Sequence, residues 1–283
     1  MNVLENKRQQ FLLIALLAIF IPWIILAIVF GIYDLQISNA VVNFESWWGN
    51  FGADYGETPG FGLIGISIAV LFGSFIKKTK MQKIPAFVIS AIGITLMIYF
   101  LFDYTPKAAT ICGSIAGSVL IFSFLELNRD LNNYKKFAWL VLLLSIINPL
   151  GFVQITKLLC GRVRFRDLVD MGFEFYTPWY LPPEPTIRHT SFLSGHTAMG
   201  WMVLPLLVLV REKETKDPMK IITVGFVFLW GFFVACSRVV VGAHFASDVL
   251  FSTGMGLLAF AILYYYMYLK PKKVEKEENN PLE

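Results

Sequence analysis

Eight apolar runs decide what this chain can become. They fall near 11–32, 61–76, 84–102, 108–125, 137–156, 195–210, 221–236 and 249–268. A helix rises 1.5 Å per residue, so about 20 apolar residues cross a hydrocarbon layer ~30 Å thick. In lipid every backbone N–H and C=O must find its partner within the protein, and a helix satisfies them within one segment. The runs therefore predict an all-α integral membrane protein, a multi-pass bundle of about eight transmembrane helices. The runs 61–76 and 195–210, with 221–236 of equal length, are the shortest of the eight. With 56% hydrophobic and 16% charged residues, the chain falls well below the roughly 25% charged of a soluble domain.

Basic residues give the expected orientation. They cluster at Lys7 and Arg8, at Lys77, Lys78, Lys80 and Lys83, and at Arg129, Lys135 and Lys136. Further clusters are Arg211, Lys213, Lys216 and Lys220, then Lys270, Lys272, Lys273 and Lys276. With eight helices and an inner N-terminus, all of them fall on the cytoplasmic side, as the positive-inside rule requires. Both termini are then cytoplasmic. The net charge of +4 is explained by topology and calls for no nucleic acid. Left on the outer side are Lys107, Lys157, Arg162, Arg164, Arg166, Arg188 and Arg238. Cations that defy the topology bias mark an anion site or a structural pair, so a functional site is expected at the extracytoplasmic face.

Along the chain, 1–60 reads as a first transmembrane helix followed by an outer interfacial segment. The first run is too long for a signal peptide and has no cleavage site after it, so it reads as a retained anchor. Trp47, Trp48, Phe51 and Tyr55 suit residues 33–60 to the membrane interface. Residues 61–136 hold further spans, 137–268 the chemistry, and 269–283 a charged, solvated cytoplasmic tail.

The three histidines stand at 189, 196 and 244. Histidine is the side chain that can take and give a proton near neutrality. Lys157 and Arg164, seven apart, would share one face of a helix and clamp an anion, with Arg162 and Arg166 beside them. Ser194-Gly195-His196 opens an apolar run, where helix-start amides receive phosphate and His196 supplies a proton to a leaving oxygen. His244 and Asp248, four apart, would share a helix face, the carboxylate holding one ring nitrogen and leaving the other to attack. Arg238 would neutralise phosphoryl oxygens. Each motif alone is weak, but all three map to the same outer edge.

Taken together, Lys157 with Arg164, Ser194-Gly195-His196, and Ser237-Arg238 with His244 and Asp248 resemble the type 2 phosphatidic acid phosphatases. That family's signature has three blocks: Lys-x6-Arg-Pro, Pro-Ser-Gly-His and Ser-Arg-x5-His-x3-Asp. The resemblance implies a six-helix phosphatase core with His244 as nucleophile, Asp248 as its orienter and His196 as general acid. Lys157, Arg164, Ser194, Gly195 and Arg238 would bind phosphate. Phe165 and Leu193 replace the family's two prolines, which shape the backbone without supplying a functional group. The extra helix pair at 84–125 lies outside the resemblance.

The loop 167–193, with Phe173, Phe175, Tyr176, Trp179 and Tyr180 among four prolines, reads either as an aromatic seat in the interface or as a semi-rigid lid. In the lid reading, Arg188 and His189 take a second phosphate, and Arg162 and Arg166 are further substrate contacts. The expected function is hydrolysis of a lipid phosphate or diphosphate through a phosphohistidine, first of all undecaprenyl diphosphate, with phosphatidylglycerophosphate or phosphatidic acid second. Phosphotransfer to a hydroxyl and an anion or lipid transporter are the rivals. Too few carboxylates stand beside His196 and His244 for a metal shell, so no metal and no cofactor is expected. The membrane and a lipid substrate are the expected partners, and the oligomeric state is left open.

Overall fold

The computed structural model describes residues 3–270, and the expected tail lies outside them apart from its first two residues. Among the described residues the chain is helical, with no strand. Helix α1 is Val3–Val41, α2 Trp47–Tyr55, α3 Thr58–Ser74, α4 Ile84–Phe102 and α5 Pro106–Leu125. Helix α6, Lys135–Ser145, passes through a π-helical stretch, Ile146–Phe152, into α7, Val153–Leu159. Pro149 sits inside that stretch. A proline within a helix removes one backbone donor and crowds the preceding turn, and a local π turn absorbs the misfit. Helix α8 is Phe165–Met171, α9 Gly195–Gly200, α10 Leu206–Leu209, α11 Pro218–Val240 and α12 Ala246–Tyr264.

Seven of the eight expected spans are long and apolar enough to cross a membrane, the second of them built from α2 and α3 together. The eighth, Gly195–Leu209, is shorter and is broken by the 3-10 turn Trp201–Val203. Even if fully helical it would reach only ~22 Å. It nevertheless links the two ends of the bundle. His196 at its start meets Lys107, whereas Val208, Leu209 and Arg211 border a cleft with Lys136 and Tyr268. Trp201 fills the broken stretch. It is fully buried, and a Cβ on Gly231 of α11 would stand 2.6 Å from its ring.

Residues 33–60 depart from the expected interfacial segment. Helix α1 continues nine residues beyond the run read from sequence and carries the fully buried Asp34 inward. Helix α2 packs against α11: Trp230 Nε1 donates to the Gly56 carbonyl at 3.1 Å, and the Trp48 and Phe233 rings lie 6.1 Å apart. Of the four aromatics, Trp47, Phe51 and Tyr55 stay exposed, and Trp48 is half-buried.

The two ends of the bundle differ in kind. At one end lie the loops with Lys77–Lys83, Arg129–Lys136 and Arg211–Lys220. There Lys83 is buried and donates to the Arg129 carbonyl at 2.7 Å, and Gln82 ties Asp130 and Leu131 together. At the other end the starts of α3, α5, α9 and α12 meet the ends of α7 and α11, and the histidine motifs gather there.

Candidate active site

Helix α11 ends in a tight turn that sets the central histidine. Gly242 has φ +63°, the left-handed conformation that favours glycine after a helix. The amides of Ala243 and His244 both donate to the Arg238 carbonyl, at 3.1 and 3.2 Å. Helix α12 then starts at Ala246, and the Asp248 carboxylate accepts from the Phe245 amide at 3.0 Å.

His244 is buried, and its Nδ1 lies 2.6 Å from the Ser191 carbonyl oxygen. A carbonyl only accepts, so Nδ1 carries the hydrogen and Nε2 keeps its lone pair. Asp248 Oδ2 stands 3.5 Å from the same Nδ1. The expected direct His–Asp hold is therefore shared: the Ser191 carbonyl is the near acceptor, and Asp248 supports it with charge. Burial pushes the His244 imidazole down to about 4, against the opposing pull of Asp248. The ring is thus neutral near pH 7.

Behind the histidine lies a closed ionic frame. Arg162 is 1% exposed and donates through Nη1 to Asp248 Oδ1 at 2.6 Å and Ser247 Oγ at 2.8 Å. Its Nη2 reaches Asp34 Oδ2 at 2.9 Å and its Nε the Thr177 carbonyl at 2.9 Å. Asp34 also accepts from the Ser247 amide at 2.9 Å and from its hydroxyl. Ser191 Oγ donates to Asp248 Oδ2 at 2.5 Å. The Phe245 ring lies 4.1 Å under the guanidinium. Burial works against the charge of Arg162, but Asp248 and Asp34 outweigh it and raise its pKa. Expected as a substrate contact, Arg162 instead spends its donors on this frame and orients Asp248.

In front of His244 opens a cavity of about 520 Å³, lined by Lys107, Lys157, Arg164, Arg166, His196, Arg238 and His244, with Asn50, Asp54, Phe44, Ala53 and Val241. Lys157 comes from the last turn of α7, which ends at Leu159. Arg164 therefore does not share a helix face with it, as the spacing predicted, but reaches the cavity from the extended stretch before α8. It donates to Thr190 Oγ1 at 3.1 Å. Its buried Nε has no protein partner, and neither has that of Arg238, which is 7% exposed. Buried guanidinium donors without an acceptor are costly and suit an anion. Arg166 pairs loosely with Asp167 at 3.6 Å.

His196 closes the cavity from α9. Ser194 caps that helix: its Oγ, fully buried, accepts from the Thr197 amide at 3.3 Å and the Thr197 hydroxyl at 2.9 Å. Ser194 thereby shapes the turn and stands behind the cavity wall. A Cβ on Gly195 would lie 3.4 Å from Lys157 Nζ, so the glycine keeps the backbone near that ammonium. His196 Nε2 lies 2.8 Å from Lys107 Nζ and 3.4 Å from Glu57 Oε2, and those two are themselves 3.4 Å apart.

Two other expectations fail on placement. Arg188 is exposed, its amide held by Thr186 Oγ1 at 3.1 Å, and neither it nor His189 lines the cavity. The loop 167–193 does not form a lid. Trp179 and Tyr176 turn inward as a buttress: Trp179 Nε1 donates to the Ala27 carbonyl at 2.9 Å and its ring packs 4.6 Å from Phe251, and Tyr176 packs 5.4 Å from Phe245, whereas Phe173, Phe175 and Tyr180 stay exposed. The two residues in place of family prolines are also buried, Phe165 against Val163, Leu168 and Phe245, and Leu193 against Val153 and Ala198. Sequence reasoning missed Asp34, Glu57 and Ser191, and it gave Lys107 no role beyond its anomalous side. The first two lay in the stretch assigned to the interface, where an acidic residue inside an apolar helix was the available signal.

No curated protein and no solved structure matches this chain. Residues 137–272 match the family model described as PAP2 superfamily. Members of that superfamily are phosphatases acting on phosphate esters. The matched segment contains His244, Asp248, His196, Lys157, Arg164 and Arg238, the groups that surround the cavity and its ionic frame. Residues 137–272 of this membrane-embedded helical chain are thus similar to the PAP2 superfamily.

Proposed function

We propose that the protein hydrolyses a phosphate or diphosphate carried on a lipid, at the extracytoplasmic face, through a phosphohistidine on His244. Undecaprenyl diphosphate is the favoured substrate, ahead of phosphatidylglycerophosphate and phosphatidic acid. The observation that carries this reading is the Ser191 carbonyl on His244 Nδ1, which leaves the Nε2 lone pair available beside a cavity lined by five cations. Nε2 attacks phosphorus, and the bond from phosphorus to the leaving oxygen breaks, its electron pair staying on that oxygen. His196 protonates the leaving oxygen, then accepts a proton from the water that attacks the phosphohistidine. The P–N electron pair returns to Nε2 and inorganic phosphate leaves. Lys157, Arg164 and Arg238 offset the charge that builds on the phosphoryl oxygens. Arg162 and Asp34 hold Asp248 behind the histidine.

Outward placement of the site is supported by its position at the end of the bundle opposite the basic loops, given the positive-inside rule. The test is phosphate release by the purified protein in detergent with chelator, from each of the three lipids, beside His244→Ala. Release lost in the variant supports the phosphohistidine, and the ranking of lipids identifies the substrate. Equal release from wild type and variant, or none from the folded wild type, rejects the reading. Vanadate, which adopts the shape of the transferring phosphoryl group, inhibits if the mechanism holds.

A further inference from the structure

The pair α4–α5 lies wholly before the segment that matches the superfamily, yet it brings a cation into the cavity. The pair is firmly docked. Ser90 Oγ donates to the Ala116 carbonyl at 3.1 Å, and a Cβ on Gly93 would meet Ala116 at 2.9 Å. Small residues let the two helices approach closely, as in other membrane helix pairs. Its far end is fixed by Lys83 on the Arg129 carbonyl. Lys107 in the first turn of α5 is thereby carried to within 2.8 Å of His196 Nε2.

That contact locates Lys107 relative to the reaction. On the mechanism proposed above, His196 borders the leaving oxygen, so the ammonium beside it stands on the leaving-group side. Lys157, Arg164 and Arg238 serve the transferred phosphoryl group. A lipid alkoxide leaves as a neutral alcohol once protonated and needs no further cation. A lipid phosphate leaves as an anion with further oxygens, and a fixed ammonium there has charge to neutralise.

We infer that Lys107 is a specificity-determining residue that binds the second phosphate of a diphosphate substrate, the one retained on the lipid. This rests on the hydrolase reading for the place of the leaving group. A phosphate oxygen is a stronger acceptor than an imidazole nitrogen and draws the ammonium from His196 Nε2, freeing that nitrogen to carry its proton. When the P–O–P bridge breaks, its electron pair stays on the lipid phosphate, and the new charge is met by Lys107 and by the proton from His196.

The test compares wild type with Lys107→Met, which keeps length and loses charge at a half-exposed position. Binding of phosphate and of methylenediphosphonate, which resists hydrolysis, is measured by titration calorimetry on the purified protein in detergent. The variant should weaken methylenediphosphonate about tenfold or more and phosphate less than about threefold, the loss of one charge-assisted hydrogen bond. In turnover, kcat/KM should fall by about tenfold to a hundredfold on a diphosphate lipid and by less than about threefold on phosphatidic acid. Lys107→Arg should restore most of the difference. Equal weakening of the two ligands, or no weakening of either, overturns the assignment. A wild type that binds methylenediphosphonate but releases no phosphate from any lipid rejects the hydrolase reading, and the binding comparison still decides Lys107.

Discussion

The half of the molecule that matches the superfamily and the half that precedes it contribute differently to one cavity. Residues 137–272 hold His244 and His196, the proposed nucleophile and general acid, and the cations Lys157, Arg164 and Arg238 of the cavity. Residues before 137 supply Asp34, which pairs with Arg162 behind the histidine, and Glu57 with Lys107 beside His196. The first half thus sets the electrostatic surroundings of groups carried by the second. Motifs locate the reacting atoms because they recur with fixed spacing. What holds those atoms and what reads the rest of the substrate come from helices far away in sequence.

The comparison breaks most visibly at Asp34. Asp34→Ala leaves Arg162, 1% exposed, with one carboxylate where it had two, and it leaves the Ser247 amide without its acceptor. Removing one partner of a buried ion pair costs about 3–5 kcal/mol. A large fall in thermal stability in detergent is expected, together with lower turnover because Asp248 loses its orientation. Asp34→Asn keeps an acceptor and should cost less. If Asp34→Ala unfolds and turns over like wild type, the first half is no part of the catalytic frame.

A smaller effect is read from pH. With its pKa held down at about 4 against an ordinary 6.5, His244 stays neutral as the pH falls from 7 to 5. The acid limb of kcat/KM set by the nucleophile should therefore lie near pH 4. The unfolded chain binds the proton first, so stability is greatest above pH 6.5 and falls as pH drops toward 4, by about 3 kcal/mol from this group. Unfolding measured across pH 4–7 should be flatter in His244→Gln. An acid limb near 6.5 would mean that the ring is not buried as the fold has it.

Much of this was legible in the sequence. Apolar run lengths revealed the bundle, because in lipid the length of a helix and its hydrophobicity are bound together. The run at 195–210 was the hardest to read, since Trp201 and the 3-10 turn trade helical length for packing against Gly231. The cavity residues Lys157, Arg164, His196, Arg238 and His244 were visible because their types suit phosphate and their three blocks resemble a family signature, although Lys157 and Arg164 do not share the helix face that their spacing predicted. The division of labour among the arginines was not. Arg162 and Arg164 are two residues apart and alike in composition, yet one is enclosed by Asp34 and Asp248 and the other faces the cavity. Only the tertiary position of Asp34, 128 residues away, separates them.

The smallest predicted effect concerns Arg188, which by sequence has as good a claim on phosphate as Lys107. It lies between two motif blocks, next to His189, on the side of the membrane assigned to the site. In the fold it is exposed, its backbone is held in a local turn by Thr186, and the loop around it faces inward through Trp179 and Tyr176. An exposed cation away from the cavity interacts through water and salt, where a charge is worth well under 1 kcal/mol. Arg188→Ala should therefore change kcat/KM on diphosphate and monophosphate lipids by less than about twofold. A selective loss on the diphosphate lipid would transfer the second-phosphate role from Lys107 to the loop and reverse the comparison between the two halves.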